Sequence, residues 1–181
     1  MSLPESSTLE WQPAVGAGVE LLAPPTAAAL DGWPAADGVE VAAIDPTLSD
    51  TAEFCQTYGV GLEQSANCVV ITGKREGVAR YAACVILATT RADVNNVARR
   101  LLDVRKASFA PMEEAVELTG MEYGGITPIG LPPDWPVFVA GQVTLAGPVV
   151  IGAGVRAAKL RLDGAALLQL PNATLVPELA R

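Results

Sequence analysis

The stretch Gly120-Met-Glu-Tyr-Gly-Gly-Ile-Thr-Pro-Ile-Gly-Leu-Pro-Pro-Asp134 lies between a predicted helix and a predicted strand. It contains the pair Gly124-Gly125, with prolines at 128, 132 and 133 on its far side. Adjacent glycines let a ligand approach the main chain closely, and prolines fix φ and stiffen the loop. Such a loop is suited to present unpaired N–H groups to an anion or a developing oxyanion. A long structural connection has the same composition, so both interpretations stay open.

Helical and extended segments surround this loop on both sides. The strongest extended signals, residues 67–72 and 81–89, flank the polar connection Gly73–Gly77 and predict a central antiparallel hairpin. Ser49 or Asp50 is placed to cap the helix that Gly59 ends. We predict helices over 26–30, 52–58, 94–102, 112–119 and 164–170, and further strands over 39–44, 106–110, 137–139, 149–151 and 159–162. This mixture predicts an α+β fold built on one mixed, curved sheet.

The length of 181 residues predicts one domain. Residues 1–23 are rich in Gly, Pro and Ser and are predicted to form a loosely ordered N-terminal extension, leaving 24–181 as the domain. The first residues have neither a basic segment nor an apolar segment typical of a signal peptide. No apolar run approaches the roughly 18–20 residues that span a bilayer, so we expect no membrane association. Three cysteines without CxxC spacing favour a reduced, cytoplasmic protein.

The sequence has no histidine. This excludes Ser-His-Asp and Cys-His catalysis and every metal site that uses imidazole, and we expect no metal and no organic cofactor. Cys68 and Cys84 lie in the predicted hairpin strands, where a small buried apolar role is expected. Glu113 and Glu117 share a helix face, which fits a carboxylate pair for acid–base chemistry or acids that complement a helix dipole.

Charge is distributed unevenly along the chain. All twelve Lys and Arg residues lie at or after Lys74, whereas residues 1–73 contain ten acidic residues. Residues 74–106 contain eight basic and three acidic residues, and Arg156, Lys159 and Arg161 form a second basic group. The net charge of −8 argues against broad coating of nucleic acid, but a local basic face can hold a few phosphates. A solvated helix surface of mixed charge and an acidic partner-binding segment are the alternatives.

Three sequence blocks follow the hairpin in a fixed order. They are Ala107-Ser-Phe-Ala-Pro-Met-Glu-Glu-Ala-Val-Glu-Leu-Thr-Gly120, Gly124-Gly-Ile-Thr-Pro-Ile-Gly-Leu-Pro132, and Val150-Ile-Gly-Ala-Gly154 followed by Lys159-Leu-Arg-Leu162. From about residue 45 to about residue 170, some two-thirds of the chain, this order resembles the YbaK/EbsC family of aminoacyl-tRNA deacylases, the prolyl-tRNA editing domain. The resemblance implies a single domain with a mixed, mostly antiparallel, barrel-like sheet surrounded by helices.

The resemblance also implies a function, which is trans-editing: hydrolysis of the ester of a mischarged tRNA that carries a small amino acid. Its partners would be the tRNA acceptor end and, as a further candidate, an aminoacyl-tRNA synthetase. Backbone N–H groups would stabilise the oxyanion, and the ribose hydroxyl of the substrate would orient the water. Gly125 and Thr127 are the predicted catalytic donors. The predicted substrate-binding residues are Asn67, Gly124, Ile126, Pro128, Gly130, Gly152 and Gly154. The predicted tRNA-binding residues are Arg91, Arg99, Arg105, Lys106 and Arg156.

The sequence departs from the family at three places. Where the family usually has a Lys that holds the terminal phosphate of the substrate, this chain has Ala66-Asn67-Cys68. Asn67 can donate a hydrogen bond but supplies no charge. Ala42-Ala43-Ile44 replaces a more polar segment, and Val155 stands where relatives often have Ser. The alternative to a deacylase is therefore a non-catalytic module of the same fold that binds a nucleotide or aminoacyl-tRNA end.

Overall fold

The structure, a computed structural model, describes residues 8–181. The strands are β1 (Gln12–Pro13), β2 (Glu40–Ala43), β3 (Ala66–Arg75), β4 (Val78–Leu87), β5 (Ala107–Phe109), β6 (Val137–Ala140), β7 (Pro148–Gly152), β8 (Ala158–Asp163) and β9 (Ala173–Val176). The α-helices are α1 (Pro24–Leu30), α2 (Thr51–Tyr58), α3 (Arg99–Leu101), α4 (Met112–Thr119) and α5 (Gly141–Leu145). No helix within residues 8–181 is long and apolar enough to cross a membrane.

The strands form two open sheets. One has the order β1-β2-β8-β7 and is antiparallel throughout. The other has the order β5-β3-β4-β6-β9, with β4–β6 and β6–β9 parallel. A single bridge between Ser65 and Val150 joins the two sheets, which places the start of β3 beside β7. The predicted α+β class is confirmed, but the strands lie in two sheets that do not close, whereas one curved sheet was expected.

The hairpin β3–β4 is longer than predicted. Its register runs from Ala66↔Leu87 to Arg75↔Val78, so the predicted polar connection belongs mostly to the strands. Only Glu76 and Gly77 form the turn, with φ of 51° and 80°. Two central residues at positive φ match the right-handed twist of antiparallel strands, which explains why this hairpin closes with two residues.

The main core joins side chains from both sheets. Val41 and Leu160 from one sheet and Ile71, Val85 and Val139 from the other are wholly or almost wholly buried in one cluster. Burying each such side chain contributes about 1.5–3 kcal/mol relative to exposure. Strand alternation directs side chains two residues apart to the same face. The face of β8 opposite Leu160 therefore carries the basic side chains of Lys159 and Arg161.

Residues 8–23 are packed against the first sheet. β1 pairs with β2, and Ala14, Leu22 and Ala23 are almost completely buried. The ring of Trp11 lies 4.4 Å from the guanidinium carbon of Arg161. This differs from the loosely ordered extension predicted for residues 1–23, because the scattered apolar residues find partners on the sheet. Residues 1–7 lie outside the described residues.

Several elements differ in kind from the sequence-based expectation. The predicted helix 94–102 begins as a π-helical turn, Val94–Ala98, whose Asp93 cap accepts a hydrogen bond from the N–H of Asn96. The predicted helix 164–170 is a 3-10 helix, Gly164–Gln169. The short elements α5 and β9 have no clear periodic signal in the sequence. Elements this short are not stable in isolation, so tertiary packing stabilises them.

Candidate active site

A polar cleft of about 290 Å³ lies where the two sheets meet. Its walls are the first residues of α2, the start of β3, the Gly-Gly loop, the end of β7 and the start of β8. The lining residues are Ser49, Asp50, Thr51, Ser65, Ala66, Asn67, Cys68, Val69, Tyr123, Gly124, Ile126, Val150, Ile151, Gly152 and Lys159. Of the predicted site residues, the cleft brings together Asn67, Gly124, Ile126 and Gly152.

The loop with Gly124 and Gly125 packs against a second glycine loop, residues 152–154, main chain against main chain. The Gly154 N–H donates to Gly125 O at 2.7 Å, and the Glu122 N–H donates to Gly154 O at 2.8 Å. A Cβ on Gly152 would lie 2.5 Å from Gly125 O, and a Cβ on Gly125 would lie 2.6 Å from the carbonyl of Val155. These glycines are therefore needed for the contact between the loops, which forms one wall of the cleft.

The predicted catalytic donors lie behind this wall. The Gly125 N–H donates to Glu122 O at 2.9 Å, so it is already used within the loop. Thr127 is completely buried, its N–H lies 3.5 Å from Met121 Sδ, and its Oγ1 has no partner within residues 8–181. The N–H groups of Gly124 and Ile126, which do line the cleft, have no acceptor in the described part of the chain. The geometry therefore favours these two over Gly125 as donors to a ligand.

Three other predicted residues face elsewhere. Pro128 and Gly130 line a separate apolar hollow on the opposite side of the same loop. A Cβ on Gly154 would lie 2.8 Å from Thr26 Oγ1, which places this glycine against α1 and outside the cleft.

Only one of the predicted tRNA-binding residues is near the cleft. The Arg156 guanidinium donates to Tyr123 O at 3.1 Å and to Pro46 O at 3.3 Å, so it lies at the rim. Arg105 and Lys106 line a hollow together with Lys74 of β3, and Lys74 is seven residues, or about 23 Å along the strand, from Asn67.

The two remaining predicted tRNA-binding residues are also away from the cleft. The Arg91 N–H donates to Arg181 O near the C-terminus, and Arg99 donates to Asn95 O and Val104 O. Neither residue is among those that line the cleft.

The N-terminus of α2 lines the cleft, and several of its polar groups have no partner within residues 8–181. Asp50 is the N-cap residue, but its side chain makes no capping hydrogen bond, contrary to the predicted cap. Ser49 is only 2% exposed, and its Oγ has no partner within residues 8–181. The first helical bond is Phe54 N–H to Asp50 O, so the N–H of Thr51 remains without an acceptor there. The sequence prediction missed that these residues belong to a site because they match ordinary helix caps.

Asn67 is positioned by the same helix. Its Oδ1 accepts a hydrogen bond from Thr51 Oγ1 at 2.8 Å. This contact fixes the amide so that its acceptor is used and its Nδ2 donors remain available. Asn67 therefore lines the cleft as a neutral residue with free amide donors, and its contact with a substrate remains a prediction.

Lys159 is the main residue of the cleft that the sequence prediction did not identify. Its side chain is largely buried, with the residue 8% exposed, and its Nζ donates to Ser49 O at 2.9 Å. The ammonium also lies 5.1 Å from the centre of the Phe54 ring. The alternation Lys159-Leu-Arg-Leu162 was the available signal, because Leu160 and Leu162 enter the core and Lys159 must face the other way.

Burial lowers the pKa of Lys159 from its ordinary value to about 8. The neighbouring Cys55 and Asp50 act in the opposite direction, and the positive charge of Arg156 lowers the pKa further. Lys159 is thus an ammonium whose charge is costly to keep unless an anion is near it.

Cys68 and Cys84 are poorly suited to act as nucleophiles. Burial raises the pKa of Cys68, which lines the cleft, and the nearby Cys84 adds to this effect. Burial also raises the pKa of Cys84 to about 12. A thiol, unlike a thiolate, is a poor nucleophile, so these residues act as small apolar groups. Within residues 8–181 no group of three His, Cys, Asp or Glu side chains is placed to hold a metal ion.

Comparisons with known proteins agree with this architecture. A crystal structure of a candidate trans-editing enzyme for prolyl tRNA synthetase superposes with a TM-score of 0.71 at 24% identity, over 86% of this chain and 97% of the other. A structure from computational grafting of epitope backbones onto scaffold proteins has a TM-score of 0.71 at 21% identity, over 86% and 95%. A candidate signal transduction protein from Marinobacter aquaeolei VT8 has a TM-score of 0.54 at 17% identity, over 86% and 30%. At these identities the likeness shows the fold.

No curated protein matches the chain. The model of the aminoacyl-tRNA editing domain matches residues 45–170, which includes the cleft, both glycine loops and the hairpin. That range is well over half of the chain and agrees with the resemblance seen in the sequence. The chain belongs to the aminoacyl-tRNA editing domain family.

Proposed function

We propose that the protein is a trans-editing aminoacyl-tRNA deacylase that hydrolyses the ester of a mischarged tRNA carrying a small amino acid. One observation carries the proposal: a cleft of about 290 Å³ whose wall presents the unpaired N–H groups of Gly124 and Ile126. This volume is at the lower end of ligand pockets, which are about 300–1,000 Å³. Such a cleft suits a small aminoacyl group better than a bulky one.

The proposed reaction transfers the acyl group to water. Water attacks the ester carbonyl carbon, and the carbonyl oxygen becomes an oxyanion that accepts from the Gly124 and Ile126 N–H groups. The tetrahedral intermediate then collapses, the bond to the ribose oxygen breaks, and that oxygen takes the proton. The products are the free amino acid and the uncharged tRNA. The neighbouring ribose hydroxyl orients the water, so the reaction needs no histidine.

Asp50 is the proposed partner of the substrate's α-ammonium group. Its carboxylate lines the cleft, is exposed, and makes no cap hydrogen bond to its own helix. An aminoacyl ester carries a positive ammonium beside the reacting carbonyl, and a carboxylate that is not otherwise engaged is a suitable counter-charge. The Tyr123 ring, 55% exposed and also part of the lining, is proposed to stack on the terminal base.

Contacts to the rest of the tRNA are proposed for the basic residues. Arg156 at the rim is placed to meet the acceptor end. Arg91, Arg99, Arg105 and Lys106 lie away from the cleft and would meet only more distant backbone phosphates. A synthetase that produces the mischarged tRNA is the proposed protein partner, and the cytoplasm, where tRNAs are charged, is the proposed location.

Deacylation of tRNAs charged with Ala, Cys, Ser or Pro tests the proposal. We expect hydrolysis of at least one of them, and the Asp50→Asn variant to lower kcat/KM by at least about tenfold, because a charged hydrogen bond contributes roughly 1.5–3 kcal/mol. Asp31→Asn is the matched control, since Asp31 lines the apolar hollow on the other side of the loop. Saturable binding of the tRNA end without hydrolysis would replace the deacylase with the non-catalytic binding module.

A further inference from the structure

The ammonium of Lys159 is buried with most of its hydrogen-bonding capacity unused. An ammonium has three donors, and the described part of the chain supplies one acceptor, Ser49 O. No carboxylate oxygen of residues 8–181 lies within 4 Å of Nζ. A buried charge without a counter-charge is costly. The folded protein therefore leaves a place for an anion beside Lys159.

Other donors converge on the same place. Ser49 Oγ is buried and has no partner within residues 8–181, and it lies 3.4 Å from where a Cβ of Gly124 would stand. The Thr51 N–H at the start of α2 has no acceptor in the same part of the chain, and Asn67 retains its Nδ2 donors. The N-terminus of a helix carries a partial positive charge that favours anions. A group with several acceptor oxygens matches this set of donors.

We infer that Lys159, Ser49 Oγ and the first N–H of α2 form a phosphoryl-binding subsite in the cleft. This inference rests on the proposed function for its identification of the ligand as the phosphate of the tRNA's 3′-terminal nucleotide. The positive charge of the subsite comes from β8, and Asn67 on β3 contributes a neutral hydrogen bond.

Asp50 lines the same cleft and, unlike Lys159, is exposed. Its carboxylate is exposed and more than 4 Å from Lys159 Nζ, so it does not neutralise the ammonium by contact. The cleft therefore carries one exposed acidic group and one buried basic group. An aminoacyl nucleotide has the matching polarity, with an α-ammonium at one end and a phosphate at the other.

Binding of adenosine 5′-monophosphate and adenosine, measured by calorimetry at pH 7, tests the subsite. We expect the nucleotide to bind at least about tenfold more tightly than the nucleoside, because it adds charge-assisted hydrogen bonds. Lys159→Met should bring this ratio close to one while leaving adenosine affinity unchanged. Arg161→Met is the control, because Arg161 shares the strand face but is paired with Glu40 and Trp11. An unchanged ratio in Lys159→Met would overturn the subsite.

The pH dependence of the wild-type protein gives a second measurement that does not depend on folding of the variant. The pKa of Lys159 is lowered to about 8, and Asp50, Cys55 and Arg156 are the charged or titratable groups that act on it. Phosphate binding favours the protonated ammonium, so the affinity ratio should fall as the pH rises from 7 to 9.5. A phosphate monoester is already fully ionised over most of this range, since its second pKa is about 6. A flat ratio would contradict the inference.

The two proposals fail in distinguishable ways. Deacylation by the wild-type protein with full activity in Lys159→Met would keep the deacylase and reject the subsite. Lys159-dependent discrimination between nucleotide and nucleoside, without hydrolysis of any charged tRNA, would keep the subsite and reject the deacylase.

Discussion

The loop 120–134 has two faces with opposite character. Its glycine half, with Gly124 and Ile126, borders the polar cleft of about 290 Å³. Its proline half borders an apolar hollow of about 360 Å³ that is also lined by Trp33 and Trp135. Between these two faces, volume and apolar lining alone would favour the hollow as the ligand site. The distribution of unsatisfied polar groups gives the opposite answer.

Two polar side chains that line the hollow are paired within the protein. The Trp33 indole N–H donates to Gln169 O at 3.1 Å, and the Asn172 side chain donates to Pro133 O. In the cleft, Ser49 Oγ has no partner within residues 8–181, and Lys159 has one acceptor for three donors. Buried polar groups normally find partners. The cleft therefore has the character of a ligand site, and the hollow is packing between helix α1, the loop and the second sheet.

The largest effect we expect comes from the hollow, and it concerns stability. Trp135 is 4% exposed and stacks on Tyr81 with ring centroids 5.0 Å apart. Trp135→Ala should lower the free energy of unfolding by about 3–5 kcal/mol, the usual cost of removing a buried aromatic ring. Denaturant unfolding checks this. Deacylation per folded molecule should be unchanged, and a selective loss of activity would instead assign the site to the hollow.

The contact between the glycine loops should give the next largest effect. Gly125→Ala places a Cβ 2.6 Å from the Val155 carbonyl, so the loops must separate. We expect a loss of about 1–3 kcal/mol in unfolding free energy, as for other overpacked sites, together with reduced activity. Gly38→Ala is the control, because nothing lies within 4 Å of its added Cβ. Equal stability of the two variants would show that the wall of the cleft is not rigid.

Moving the positive charge within the cleft should have an intermediate effect. Lys159→Met should weaken binding of adenosine 5′-monophosphate by at least about tenfold. Adding Asn67→Lys to that variant should restore most of the loss, because position 67 lines the same cleft. Calorimetry on the single and double variants measures both steps. Failure of the second lysine to rescue binding would mean that the geometry of Lys159, and not only its charge, is required.

The smallest effect should come from the basic residues far from the cleft. Arg105→Gln with Lys106→Gln removes charges from the hollow that includes Lys74, which lies about 23 Å along β3 from Asn67. We expect aminoacyl-tRNA affinity to fall by less than about threefold and the slope of log affinity against log salt to drop by at most about 2. A salt titration checks this. A loss comparable to that of Lys159→Met would move the main tRNA contact to the far end of the hairpin.

Much of the fold was predictable because strong local signals agreed with it. The apolar strands β3 and β4 are near-continuous hydrophobic runs, and Gly59 and Gly120 end their helices at positive φ. The parallel pairing of β6 with β4 and β9 was not predictable, since it depends on chain crossings and not on local pattern. The packing of residues 8–23 was missed for a similar reason, because its apolar residues are too scattered to form a periodic signal.

The site was only half predictable. The structure brings Gly124, Ile126, Gly152 and Asn67 together in one cleft, and their roles there remain predictions. The composition of the glycine loops singled out the first three, and the family resemblance singled out Asn67. Ser49, Asp50 and Lys159 were not assigned to a site, since a helix cap and a strand lysine are common in any protein. Their meaning comes from contacts across 110 positions of sequence, such as Lys159 Nζ with Ser49 O. This contact exists only after β2, which precedes Ser49, has paired with β8, which carries Lys159.

A titration followed by NMR, using a non-hydrolysable 3′-aminoacylamino-adenosine, tests the central claim most directly. We predict shifts of the Gly124, Ile126 and Gly152 amide signals and of the Asn67 side-chain amide, all of which line the cleft. The indole N–H signals of Trp33 and Trp135, which line the hollow, should remain in place. Shifts confined to those two indoles, with the Gly124 and Ile126 amides unmoved, would contradict the assignment of the cleft as the active site.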